Sequence, residues 1–377
     1  MTVNELVNRP RINLEKTVRN PIVDFLMNVF TKVLAVTLIL CSAVTATAVE
    51  VGQWEVFETS FRTTKRYSQP FVDVEVDVVF SQDETRWKVP AFWAGPGHWT
   101  VRFAPPMQGN YRFRVECTDR SNTDLNGKEQ TLRVRPYSGE NPLLKHGFLR
   151  VSADQRHFEH ADGTPFLWLG DTWWKNLCKR MTWEGFQELT ADRRSKGFNV
   201  VQIVCGPYPD ENMMEERWEN EGGKPYETRD FSVVNPEYFE FADRRFKHLV
   251  DAGFVPVIVG GWGRPQHGGK STLAQVGLAG FQRHWRHLVA RYGAYPTVWM
   301  VGGEAKDAYG PWSELAKYLK DIDPYGHLVC YHAPGNPREQ LKDNSMFDFD
   351  MVGHGHRGME TVKATAEFIR SCLQGAP

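Results

Sequence analysis

The chain has 377 residues, more than one ordinary domain and enough to bury at least one sizeable core. Its 45 Lys and Arg against 46 Asp and Glu, a formal net charge of −1, exclude the basic field of a nucleic-acid binder and any polybasic membrane patch, and point to a neutral partner. Beyond Cys41, the cysteines Cys117, Cys178, Cys205, Cys330 and Cys372 are widely spaced and lack any CxxC or CxxH pattern, so no metal site and no cofactor is expected. In an oxidising compartment they leave room for one or two bridges that the sequence does not assign.

The apolar run Val33 to Val44 follows Lys32 and ends in Ala46-Thr47-Ala48, a small-x-small site. It reads as a secretory signal, too short for a membrane span of about 20 residues, so residues 1–48 are expected to be leader and signal peptide with cleavage near Ala48. The mature chain is then secreted or periplasmic, without a membrane span. Met27 stands where a signal of ordinary length begins, so the start is expected to be over-extended.

Residues 49–137 alternate at period two, as in Phe71-Val72-Asp73-Val74-Glu75-Val76-Asp77-Val78-Val79-Phe80, and break at Pro, Gly and Asn. Further strands are predicted at Trp54–Ser60, Trp99–Phe103, Tyr111–Thr118 and Thr131–Arg135, with turns at Gly95-Pro96-Gly97 and Gly109-Asn110. This is the pattern of an all-β, immunoglobulin-like sandwich. Pro136 to Pro142 reads as a linker.

Over residues 145–377 short apolar runs alternate with amphipathic stretches, the rhythm of βα units and a parallel sheet. Strands are predicted at Phe166–Leu169, Val200–Val204, Val255–Val259, Val298–Val301, Leu328–Tyr331 and Asp350–Val352. Helices fall at Trp183–Lys196, Pro236–Ala252, Leu273–Tyr292, Pro311–Ile322 and Met359–Cys372. The fold class is α/β: a (β/α)8 TIM-barrel-type domain of which six units are counted, so the chain is expected to be truncated before the last two.

In such a barrel the site is assembled from polar residues just after each strand. Strand one delivers Asp171, Trp173 and Trp174. Strand two carries Gln202 and leads to Asp210, strand three ends at Trp262, and strand four ends in Gly302-Gly303-Glu304. Strand five ends near His332, and strand six near His354 and His356. Glu304 is the candidate general acid, because a carboxyl at a strand end behind two glycines can reach a glycosidic oxygen; a helix cap or a pair with Lys306 is the alternative. Asp171 binds a substrate hydroxyl or caps the first helix. Asp210 is a ligand or a solvated charge in the polar loop Pro207 to Asn235. His332 and His356 are candidate sugar or carboxylate contacts. Trp173, Trp174 and Trp262 are candidate subsite walls, since the apolar faces of sugar rings stack on indole, with core packing as the alternative for Trp174.

Phe148-Leu149-Arg150-Val151-Ser152, Asp162-Gly163-Thr164-Pro165-Phe166 and Leu169-Gly170-Asp171-Thr172-Trp173-Trp174 together resemble the start of the apiosidase-like glycoside hydrolase family. Phe198-Asn199-Val200-Val201-Gln202, Trp299-Met300-Val301-Gly302-Gly303-Glu304, Tyr331-His332 and Gly355-His356 resemble its later landmarks, in order, and the sandwich is similar to the one that often precedes this catalytic domain. With the signal-like segment, the leading reading is an exported hydrolase of plant-type or similarly branched glycans. The resemblance implies a retaining mechanism of the clan A kind, with Glu304 as acid/base and a nucleophile after strand seven, beyond Pro377. Glu304 departs from the Gly-Gly-Asp of many members by one methylene. Two other readings stay open: a non-catalytic carbohydrate-binding protein or inactive fragment, and another clan A endo-glycanase.

Overall fold

Period-two alternation settles the N-terminal sheets. In the computed structural model, which describes residues 22, 49–206, 214–263, 271–334, 340–353 and 358–374, Tyr111, Phe113, Val115 and Cys117 turn inward while Arg112 and Arg114 turn to solvent. One sheet has the order β1 (Val49–Gly52), β8 (Glu129–Arg135), β7 (Gly109–Cys117), β3 (Val76–Gln82), β4 (Thr85–Pro90). The other has the order β2 (Phe57–Arg62), β6 (His98–Phe103), β5 (Phe92–Gly95). Their inner faces share one core, in which Phe80 and Phe103 stack at 4.0 Å. The expected leader and signal segment lies outside the described residues, apart from residue 22.

Two sandwich expectations are corrected. Phe71–Phe80 is not one strand. Pro70 opens a single helical turn, Pro70–Asp73, closed by the Asp73 carboxylate accepting from Gln69 N at 2.9 Å, and the strand begins only at Val76. Trp54 lies outside β2, in a left-handed turn with φ of 64°.

A small antiparallel sheet follows, β9 (Leu149–Val151), β10 (Phe158–His160) and β11 (Pro165–Phe166), and then six parallel strands in sequential order. These are β12 (Gly170–Thr172), β13 (Val200–Val204), β14 (Val255–Val259), β15 (Val298–Gly303), β16 (Val329–Pro334) and β17 (Met351–Gly353). Between them run α1 (Trp183–Ser195), α2 (Pro236–Asp251), α3 (Thr272–Val276), α4 (Leu278–Tyr292), α5 (Trp312–Ile322) and, after β17, α6 (Met359–Gln374). Val201, Ile203, Ile258, Trp299 and Val329 pack against the helices. Their neighbours Val200, Val204, Val257, Met300 and Cys330 form a separate core on the opposite face. Both faces are therefore covered, as parallel sheets require. Among the described residues no ladder joins β17 to β12, so the sheet is open rather than a closed barrel.

The first parallel strand is β12, not Phe166–Leu169. Phe166 pairs with Phe158 across β10 and β11, and Leu167 and Leu169 stay 81% and 40% exposed, so that apolar run does not enter the sheet. The helix expected over Leu273–Tyr292 is two, broken at Gly277, whose φ of 78° an L-residue rarely adopts.

Charged clasps weld the sandwich to the helices. Arg102 of β6 donates to Asp243 of α2 at 2.7 Å and to the Arg291 carbonyl of α4 at 2.9 Å, while Arg291 itself donates to Asp243 at 2.8 Å. Arg286 of α4 pairs with Asp77 of β3, and Ala104 N donates to the Tyr325 hydroxyl at 2.8 Å. Cys117, Cys178, Cys205 and Cys330 are free, buried thiols.

Candidate active site

Strand ends beyond β14, β15 and β16 are stitched past their regular ladders. Gly303 N donates to the Gly261 carbonyl at 3.0 Å, Gly263 N to the Gly303 carbonyl at 2.6 Å, and Glu304 N to the His332 carbonyl at 2.6 Å. Two glycines make this possible by leaving room for two indoles. A Cβ at Gly302 would meet the Trp312 ring of α5, and one at Gly303 would lie within the Trp262 ring. Each glycine accommodates an indole, one behind the strand and one in front.

Past them Glu304 takes a left-handed backbone, φ of 50°, which turns the chain out of β15 and leaves the side chain half-buried. It does not cap the next helix: the N-cap position of the turn Asp307–Tyr309 is Lys306, without a side-chain cap, and that of α5 is Pro311.

Three of the expected rings meet here. Trp174 and Trp262 lie 5.5 Å apart at 79°, and His332 lies 6.1 Å from the first and 5.8 Å from the second. Trp174 and Trp262 belong to the core opposite the helices, and Trp262 is 7% exposed. Gln202 sits on that face too, its Nε2 3.4 Å from Met351 Sδ, where it lines an open cavity of about 1030 Å³ with Trp168, Phe158 and Asp350.

Asp171 and Trp173 are not brought to this cluster. In β12 Asp171 pairs in register with Val201, a helix-facing position, so its carboxylate points to α1. There it accepts from Arg193 Nε and from Trp173 Nε1, and Trp173 packs edge-on against Phe186 at 5.5 Å. Burial pushes the Asp171 carboxyl up, but the bonds from Arg193 and Trp173 outweigh it and hold it below the ordinary range. The pair is a strut between strand and helix. Asp210, His354 and His356 lie outside the described residues.

Trp218 was missed by sequence reasoning. It comes from the loop before α2, is 6% exposed, and joins the same core as Trp174 and Trp262. Lys175 Nζ stands 4.3 Å from its ring centre. Its only signal was an indole inside the charged run Glu215-Glu216-Arg217-Trp218-Glu219. Among the described residues no three His, Cys, Asp or Glu side chains group as a metal site.

The six-stranded parallel β/α sheet thus brings a carboxylate, indoles and an imidazole together beyond the carboxyl ends of its strands, where domains of this architecture build their sites. Residues 152–376 match the model of the apiosidase-like catalytic domain, and the chain belongs to that family. Residues 50–118 match a domain of unknown function, DUF5060. No curated protein matches the chain. Among solved structures it is similar to a proposed glycoside hydrolase of Bacteroides vulgatus, with 22% identity, a TM-score of 0.62, and coverage of 76% of this chain and 57% of that one. It is also similar to a glycoside hydrolase family 5 protein of the same organism, with 25% identity, a TM-score of 0.46, and coverage of 58% and 48%. The chain thus spans about half the length of these relatives.

Proposed function

We propose that this chain is an exported glycoside hydrolase, acting with retention on glycosidic bonds of plant-type or similarly branched glycans, with Glu304 as general acid/base. The observation that carries the reading is Glu304 itself: a half-buried carboxylate turned out of a strand end by a left-handed residue, stitched to His332 and next to the Trp262 wall. Family membership supports the choice of glycosidic bonds. In this reading Trp174 and Trp262 stack on sugar faces, His332 and Gln202 meet hydroxyls, and Asp210 and His356 complete the polar contacts. Asp171 and Trp173 act from behind, by fixing β12. The strand orders of the two N-terminal sheets, with β1 running parallel to β8, support an immunoglobulin-like sandwich.

A general acid protonates the leaving oxygen while charge develops on the sugar, and the partner carboxylate sets the stereochemistry: about 5 Å away gives retention, about 6.5–9.5 Å inversion. The test is release of reducing sugar from branched plant-wall oligosaccharides and aryl glycosides, with the product anomer read by NMR. Glu304→Gln should lower kcat by about 10²–10⁴-fold with glycan binding retained. Binding without turnover, unchanged by Glu304→Gln, would leave a lectin-like protein instead.

A further inference from the structure

The helical turn Pro70–Asp73 of the sandwich carries Phe71, half-buried against the helix-side core of the α/β unit. Its ring lies 6.2 Å from Tyr226 and, edge-on, 5.3 Å from His287. Tyr226 belongs to the loop that also carries Trp218. It is 1% exposed, stacks on Phe231 at 4.2 Å, and places its hydroxyl 2.7 Å from His284 Nδ1. His284 of α4 is fully buried, with Nε2 2.9 Å from the Gly260 carbonyl.

These contacts leave His284 one tautomer. A carbonyl only accepts, so Nε2 holds the proton and donates to Gly260, and Nδ1 accepts from the Tyr226 hydroxyl. Burial pushes the imidazole down to about 4, so this arrangement persists at neutral pH. Gly206, just past β13, closes the junction: a Cβ there would stand 2.7 Å from the Gly260 carbonyl and 2.9 Å from His284 Nε2. Gly260 leads directly into Gly261, which is tied to Gly303, and into Trp262, whose ring fits against Gly303.

We propose that the N-terminal sandwich is a positioning element for the candidate active site, acting through Phe71, Tyr226 and His284 on Gly260 and the Trp262 wall. This gives the domain of unknown function matched at residues 50–118 a task besides stability. Docking of the sandwich has its own clasps, Arg102 with Asp243 and Arg286 with Asp77, so Phe71 is available for positioning. The effect on turnover rests on the proposed hydrolase activity; the mechanical link does not.

The experiment is therefore read first without substrate. Backbone amides of Gly260, Trp262 and Gly263 are hydrogen-bonded to Met300, Thr272 and Gly303, and their hydrogen exchange reports the wall directly. In the full chain, Phe71→Ala and Tyr226→Phe should each speed exchange at residues 260–263 about tenfold, while Phe71→Leu, which keeps an apolar contact, stays near wild type. The double variant should be no worse than the stronger single, the mark of one connected relay. If Phe71→Ala fails to fold, Phe71→Val takes its place at the sandwich end of the relay, while Tyr226→Phe, which keeps its ring in the core, tests the His284 end. Unchanged exchange in either the Phe71 truncation or Tyr226→Phe, or effects of the two variants that multiply, overturns the proposal. With an active enzyme, the same variants should lower kcat roughly tenfold at little cost in Tm. A wild-type chain that cleaves no glycan would sink the hydrolase reading and leave the exchange result standing.

Discussion

Asp243 is the shared acceptor of two guanidinium groups at the seam between sandwich and helices, and Asp243→Ala removes it alone. Arg102 would keep its bond to Glu58 at 2.6 Å, but Arg291, 3% exposed, would keep only the faces of Phe92 and Phe239, at 4.2 and 5.4 Å. Removing one partner of a buried pair costs about 3–5 kcal/mol. Because Glu58 still serves Arg102, the low end applies, about 3 kcal/mol, and at about 1–2 °C per kcal/mol for a unit of this size Tm should fall by about 3–6 °C. Acid provides a control. Burial pushes the Asp243 carboxyl up, but Arg291 and Arg102 outweigh it and hold the group below its ordinary range. A depressed carboxylate contributes stability that is present above its unfolded pKa and lost as pH falls through the lower folded value, so the gap between wild type and variant should be full at pH 7 and close below about pH 4. Thermal unfolding followed by circular dichroism across that range measures both. A shift under about 2 °C at pH 7, or a gap that widens in acid, would refute the reasoning.

Gly303→Ala should overpack the site, since its Cβ would lie within the Trp262 ring; about 1–3 kcal/mol of stability should go, and glycan affinity should drop more than tenfold as the ring moves. Isothermal titration with an oligosaccharide measures this, and unchanged affinity would show that Trp262 lines no subsite. Asp171→Ala should cost less than about 1 kcal/mol, because the carboxylate and Arg193 are 27% and 29% exposed, and should leave kcat within about threefold of wild type. A hundredfold loss in a steady-state assay would instead put Asp171 on the substrate.

Three sandwich strands, near Trp99–Phe103, Tyr111–Thr118 and Thr131–Arg135, and five of the six parallel strands were legible because their apolar residues are spent on burial, and Val200–Val204 and Val255–Val259 fall where their patterns place them, whereas Val49–Gly52, Thr85–Pro90 and Phe92–Gly95 were not foreseen. Strand one misled because Phe166-Leu167-Trp168-Leu169 is apolar without being inside, and short apolar runs do not declare their partners. Facing was harder than position. Asp171 and Trp173 were found as a motif, but a single step of register decides whether a strand residue faces helix or cleft, and pairing with Val201 put Asp171 on the helix side. Trp218, Tyr226 and His284 were out of reach because their roles arise between loop, helix and strand end, over separations with no sequence period.

The left-handed backbone of Glu304 has an evolutionary consequence. A non-glycine residue held there costs about 1–3 kcal/mol, which the surrounding stitches must offset. Glu304→Gly would relieve that cost while deleting the carboxylate. Selection of this chain for heat resistance alone should therefore favour loss of this side chain, and if Glu304 is the proposed acid, lineages released from that chemistry should shed it early.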